Sequence, residues 1–132
     1  MIQSFNLSET LVHLGLGATA VPLPDFRWDE EYLDRYVAEH ASDGDEGRLV
    51  MISRSQRDWT FWERHPGGDE LVVVLSGHLT LVQDHDGREE RVELQGGKAT
   101  INPRGVWHTS DVHEAGDVLF ITPGRGTEHR PR

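Results

Sequence analysis

From Arg48 onward the chain alternates short apolar runs with turn residues. Leu49 to Ile52, Trp59 to His65, Val72 to Leu75, Leu79 to Val82, Arg91 to Leu94, Ala99 to Asn102, Trp107 to Val112 and Val118 to Thr122 are each of strand length. Several are rich in β-branched residues, which suit a pleated, half-buried surface. Gly, Pro and Asp punctuate them at regular spacing, and this pattern predicts an all-β barrel or sandwich. Asp84-His85-Asp86-Gly87 carries an Asp-Gly hairpin signal. Gly77 interrupts an otherwise continuous pattern, where a bulge or a close backbone approach is expected.

Trp28 to Ala41 has a helical period instead, with Leu33, Tyr36, Val37 and His40 on one stripe. Asp29 stands where an N-cap belongs, and Glu30 and Glu31 suit the positive end of the helix dipole. The acidic segment after it, Ser42 to Gly47, lacks the alternating ligands of a calcium loop and reads as a solvated turn. Residues 2–26 mix apolar runs with Gly and Pro, giving one or two irregular strands. Pro22 and Pro24 lack amide donors, which confines this piece to an edge or a loop. His13, inside it, is expected to be a structural histidine.

The chemistry concentrates in the stretch WTFWERHPGGDELVVVLSG, Trp59 to Gly77. Residues two apart on an extended strand leave the same face, so Glu63 and His65 point together with Trp59 and Phe61. Pro66-Gly67-Gly68-Asp69 reads as a tight connection that brings Glu70 beside His65. Burying two acids and a histidine without a cation would be costly, because uncompensated charge is unfavourable in an apolar interior.

This stretch is similar to the first motif of the cupin superfamily, His-x-His-x4-Glu-x6-Gly. His65, Glu70 and Gly77 keep its spacing, and Glu63 stands where the first His usually does. Gly97 to Val112 resembles the second motif, Gly-x5-Pro-x-Gly-x2-His-x3-Asn. Gly97, Pro103, Gly105 and His108 fall in register, with Val112 replacing the final Asn. Leu119 to Gly124 also looks like the closing strand of small single-domain cupins.

The resemblance implies an all-β cupin jelly-roll barrel with one N-terminal helix. It implies one domain over 1–132, with 1–47 as arm and helix, 48–124 as the conserved barrel and 125–132 as a C-terminal tail. It also implies that Glu63, His65, Glu70 and His108 form a site for a divalent metal ion: Fe, Mn, Zn or Ni. Mixed nitrogen and oxygen ligation with open positions suits such ions. A carboxylate in place of the usual His makes the ion a weaker Lewis acid than a three-His site would. Cupin barrels without metal also exist in the superfamily.

Trp59, Phe61, Arg104, Trp107 and Ser110 are candidate substrate contacts. The aromatics could line a pocket or fill a core, and Arg104 could orient an anion or face solvent on its turn. Asp111 and His113 could serve as acid or base, yet by alternation both leave the face opposite His108.

A formal charge of −10 on 132 residues argues against nucleic acid, which needs clustered Lys and Arg. The late arginines Arg125, Arg130 and Arg132 read as a solvated tail. No run approaches a membrane span, no basic-then-apolar leader opens the sequence, and cysteine is absent. A cytoplasmic location is therefore expected. A homodimer is expected too, since the family commonly pairs barrels and the N-terminal segment is too small and apolar to stand alone. The functional expectation is a small metal-dependent enzyme of isomerase, lyase or oxygenase type acting on a small polar organic molecule. The rivals are a non-catalytic module holding a small-molecule ligand and a metal-free structural barrel.

Overall fold

The strand-length runs pair into two antiparallel sheets. The computed structural model describes residues 2–132. In chain order it comprises β1 (Leu11–Gly15), β2 (Thr19–Leu23), α1 (Glu30–Glu39), a 3₁₀ segment (Ala41–Glu46), β3 (Arg48–Ser55), β4 (Phe61–Arg64) and β5 (Glu70–Val74). Then follow β6 (His78–His85), β7 (Arg88–Gln95), β8 (Ala99–Asn102), β9 (Trp107–Glu114), β10 (Gly116–Thr122) and β11 (Glu128–Pro131). One sheet has the order β2-β1-β3-β10-β5-β8 and the other β11-β4-β9-β6-β7. Together they form a jelly roll of two facing sheets.

Alternation decides what lies between the sheets. Val72 and Val74 of β5 and Val118 and Phe120 of β10 pack against Leu79 and Leu81 of β6 and Leu94 of β7. Each such side chain contributes about 1.5–3 kcal/mol on burial. The β6–β7 hairpin turns at Asp86 and Gly87, both at positive φ (55° and 93°), the combination a two-residue I′ turn requires. Gly77 lies at φ 85°, and a Cβ there would stand 2.6 Å from the Glu114 carbonyl oxygen. Both expectations for that glycine hold, because the β6–β9 register also shifts between His78 and Leu79.

Several boundaries differ from the sequence reading. The helix is shorter than 28–41, although Asp29 caps it as expected by accepting from the Tyr32 N–H at 2.8 Å. β4 begins at Phe61, since Trp59 instead donates its N–H to the Ser110 carbonyl at 2.8 Å. The acidic segment is a 3₁₀ turn, and Asp43 is tied inward to His13 and the Leu16 N–H. His13 is satisfied, with Tyr36 Oη on one ring nitrogen and Asp43 on the other. The N-terminal segment extends the larger sheet, with β2 at its edge and Pro22 opposite Val12.

The segment read as a C-terminal tail contributes a strand instead. β11 pairs with β4 in the register Glu128↔Arg64, His129↔Glu63 and Arg130↔Trp62. Arg130 and Arg132 are not free, since they pair with Asp84 at 2.7 Å and Asp111 at 2.6 Å. Among the described residues no helix is long and apolar enough to cross a membrane.

Candidate metal centre

Three neighbouring pieces of backbone aim four side chains at one point. Glu63 on β4 sits directly opposite His108 on β9. His65 follows two residues after Glu63 on the same face, and the turn after it delivers Glu70 at the start of β5. The Nε2 atom of His65 lies 3.4 Å from Glu63 and 3.2 Å from Glu70, and that of His108 lies 3.5 Å and 3.4 Å from the same two carboxylates. His65, Glu70 and His108 are at most 3% exposed and the Glu63 side chain is 19% exposed.

Each ligand is oriented from behind. His65 Nδ1 donates to Thr127 Oγ1 at 2.9 Å, a hydroxyl that itself donates to the Gly124 carbonyl. This leaves Nε2 facing the carboxylates. The Nδ1 of His108 faces the Val106 carbonyl at 3.4 Å. Glu70 accepts from Asn102 Nδ2 at 3.0 Å and from Thr122 Oγ1 at 2.7 Å, and Glu63 accepts from His129 Nε2 at 2.8 Å. Outer partners of this kind fix ring orientation and raise ligand basicity in metal sites.

The donor set fits a cation better than it fits itself. Both imidazole Nε2 atoms are buried without a hydrogen-bond partner, although two carboxylates stand near each of them. Donors about 2.0–2.2 Å from a shared ion stand about 3.0–3.5 Å from one another, which matches the four separations. Without an ion, burial disfavours charge on His65, but Glu63 and Glu70 outweigh it and raise its pKa to about 9. Burial likewise opposes ionisation of Glu63 and Glu70, and the two imidazoles overcome it, holding both carboxyls below the usual range. Two buried acids held ionised beside two imidazoles form a site suited to a divalent ion.

Above Glu63, His65 and Glu70 opens a cavity of about 1100 Å³. Trp59 and Phe61, stacked at 4.8 Å, line it together with Glu63, His65 and Glu70. Its far wall is the α1 stripe of Leu33, Tyr36, Val37 and His40. The helical period was legible, but the stripe faces a cavity and not the core.

Three expected substrate contacts lie elsewhere. Trp107 precedes His108 on the strand and so points to the outer face, where Arg64 and Arg130 cover its ring at 4.4 Å and 4.5 Å. Arg104 braces the turn, its guanidinium donating to the Gly67 carbonyl at 3.0 Å and its N–H to Asp69 at 2.7 Å. Ser110 shares the His108 face but borders a void of only about 10 Å³ beside Leu81 and Val118. Asp111 and His113 leave the opposite face as expected, bound to Arg132 and Thr80 respectively. Conversely, Thr127, His129, Asn102 and Thr122 were not singled out by sequence. Asn102 and Thr122 sit on predicted strands, whereas Thr127 and His129 lay in the supposed tail.

Two sheets closing over a buried His/carboxylate cluster, at the floor of one cavity, define a small β-barrel built around an inner site. A cupin-domain family model matches residues 50–122, more than half of the sequence, and the chain belongs to that family. No curated protein matches it. A cupin-2 domain containing protein from Shewanella frigidimarina NCIMB 400 superposes with a TM-score of 0.48 at 21% identity, over 64% of this chain and 71% of that one. Hydroxypropylphosphonic acid epoxidase from S. wedmorenis gives 0.52 at 13% identity, over 63% and 45%. HppE in its Co(II) form with substrate gives 0.50 at 15% identity, over 57% and 44%. The chain spans less than half the length of the last two. At these identities the likeness is one of fold.

Proposed function

We propose that the protein is a metal-dependent cupin enzyme in which Glu63, His65, Glu70 and His108 hold a first-row divalent ion: Fe, Mn, Zn or Ni. The observation that carries this reading is the pair of buried Nε2 atoms, unpartnered by hydrogen bonds and each facing two carboxylates. The HppE neighbour determined with Co(II) and substrate supports it as an analogy of fold. Four protein donors leave positions free on an ion that takes five or six ligands.

The ion would supply Lewis acidity and stabilise negative charge on a substrate oxygen, the need shared by isomerases, lyases and oxygenases. The chain's own residues do the rest. Phe26, Leu33, Met51, Trp59 and Phe61 give the cavity apolar walls, which exclude water and favour a small organic molecule with an apolar body and a chelating polar end. Glu63 is the most exposed of the four and lies against His129, whose side chain is 55% exposed. Through that contact His129 Nε2 donates to Glu63 Oε1 and holds the carboxylate at the solvent side of the site.

Metal analysis of the purified protein tests the reading. About one equivalent of a first-row metal should be bound at this site, and the metal content of folded His65→Ala and His108→Ala variants should fall by that equivalent. Metal content unchanged in both variants would refute the ligand set. Oxygen uptake after Fe²⁺ loading separates an oxygenase from an isomerase or lyase.

A further inference from the structure

Away from the cavity, on the outer face of the five-stranded sheet, a second group of donors converges: His78 on β6, Glu93 on β7 and His113 on β9. We propose that these three side chains bind a second divalent ion, Zn²⁺, which clamps the three strands together.

The strands are hydrogen-bonded neighbours in the order β9-β6-β7, so the donors ride on a rigid platform and not on loops. Each residue offers a ligand atom, and these atoms lie within 4.8 Å of one another. His78 Nε2 already contacts Glu93 Oε2, and the two imidazole rings are 4.7 Å apart. Thr80, between them, donates its hydroxyl to Glu93 Oε1 at 2.6 Å and accepts from His113 Nε2 at 2.6 Å. One threonine thus orients two of the three donors, as outer partners do in metal sites.

Backbone geometry adds an independent argument. Along the β6–β9 pairing Leu79 faces Val112, but His78 faces Glu114, so His113 is the unpaired residue of a bulge. Because Leu79 pairs with Val112, alternation sends the adjacent His78 and His113 out on the same face, and the bulge leaves His113 outside the ladder beside His78. Gly77 makes the close approach possible, since any Cβ there would strike the Glu114 and Ala115 backbone. Two imidazoles and a carboxylate, with a fourth position open to water, form a donor set that tetrahedral Zn²⁺ accepts. The chain's net charge of −10 favours the cation. The other His/Asp group, His13, His40 and Asp43, lacks this character because His13 spends both ring nitrogens on Tyr36 and Asp43.

Zn²⁺ titration of the chelator-treated full chain tests the proposal. The wild type should bind two equivalents and a folded His78→Ala/His113→Ala variant one. His65→Ala/His108→Ala should keep one equivalent, which adding Glu93→Ala weakens by at least about 10-fold. In the wild type, Zn²⁺ should also shift the ring-proton resonances of His78 and His113. If the inner site takes no Zn²⁺, the wild type binds one equivalent and the His78→Ala/His113→Ala variant none, which still supports the outer site. Unchanged stoichiometry in that variant, or ring protons unmoved by saturating Zn²⁺, would overturn it.

Discussion

Metal binding at the inner site should compete with a proton on His65. Glu63 and Glu70 raise that imidazole's pKa to about 9 against the effect of burial, so near neutrality the metal-free site holds an imidazolium. A ligating nitrogen must be neutral, and the ion has to displace the proton. The carboxyls of Glu63 and Glu70 are held low and are already ionised, so they release nothing. Apparent affinity should therefore rise about tenfold per pH unit from neutrality to about pH 9, a total of about 100-fold or about 3 kcal/mol. The assay is calorimetric titration of Mn²⁺ into the chelator-treated His78→Ala/His113→Ala protein, in paired buffers of different ionisation enthalpy. About one proton per ion should appear in the buffer near pH 7, falling towards half a proton near pH 9, where affinity levels off. An affinity flat across this range, with no proton released, would refute the assignment of His65 as a charged group displaced by metal.

The same shifts give the metal-free protein a stability window. His65's raised pKa contributes fully below its unfolded value of 6.5 and is lost as pH rises through about 9. The depressed Glu63 and Glu70 contribute above their unfolded value of 4.5 and lose it as pH falls. Thermal melts should be highest between those limits, and a Tm still climbing above pH 9 would contradict this. Thr127→Val removes the acceptor behind His65 and should weaken metal about 10- to 100-fold, with Thr127→Ser restoring it; equal affinities by titration would show that the hydroxyl orients nothing. Gly116→Ala would place a Cβ 2.0 Å from the Ser76 carbonyl oxygen, a clash with backbone that cannot swing aside. It should cost about 3 kcal/mol and lower Tm by about 10 °C, read by calorimetry, and an unchanged Tm would mean the chain relaxes there.

Local pattern carried most of the barrel and the side chains that cluster at its inner site, because period-two alternation and a short turn are properties of contiguous residues. Glu63 and His65 share a face for that reason, and the turn at Pro66 to Asp69 delivers Glu70. Trp107 was misplaced although alternation already assigned it: beside an inward His108 it can only face outward. Arg104 was open from sequence because a turn guanidinium reaches either solvent or a neighbouring carbonyl, and here the Gly67 carbonyl lies within reach. Thr127 and His129 were beyond a local reading, since their role depends on β11 adding beside β4 across a separation of over sixty residues. Likewise the His78–His113 juxtaposition depends on the β6–β9 register that pairs Leu79 with Val112, two residues far apart in sequence.

The placement of α1 divides labour within the molecule. The four clustered side chains come from β4, the turn after it, β5 and β9, while the opposing wall is supplied by a segment that adds none of them. Exchanging Leu33 or Val37 for bulkier or smaller residues would resize the chamber and leave the four clustered side chains undisturbed. In the proposed enzyme, selectivity would thereby be free to drift along one short helix while the ion's surroundings stay anchored in the sheets.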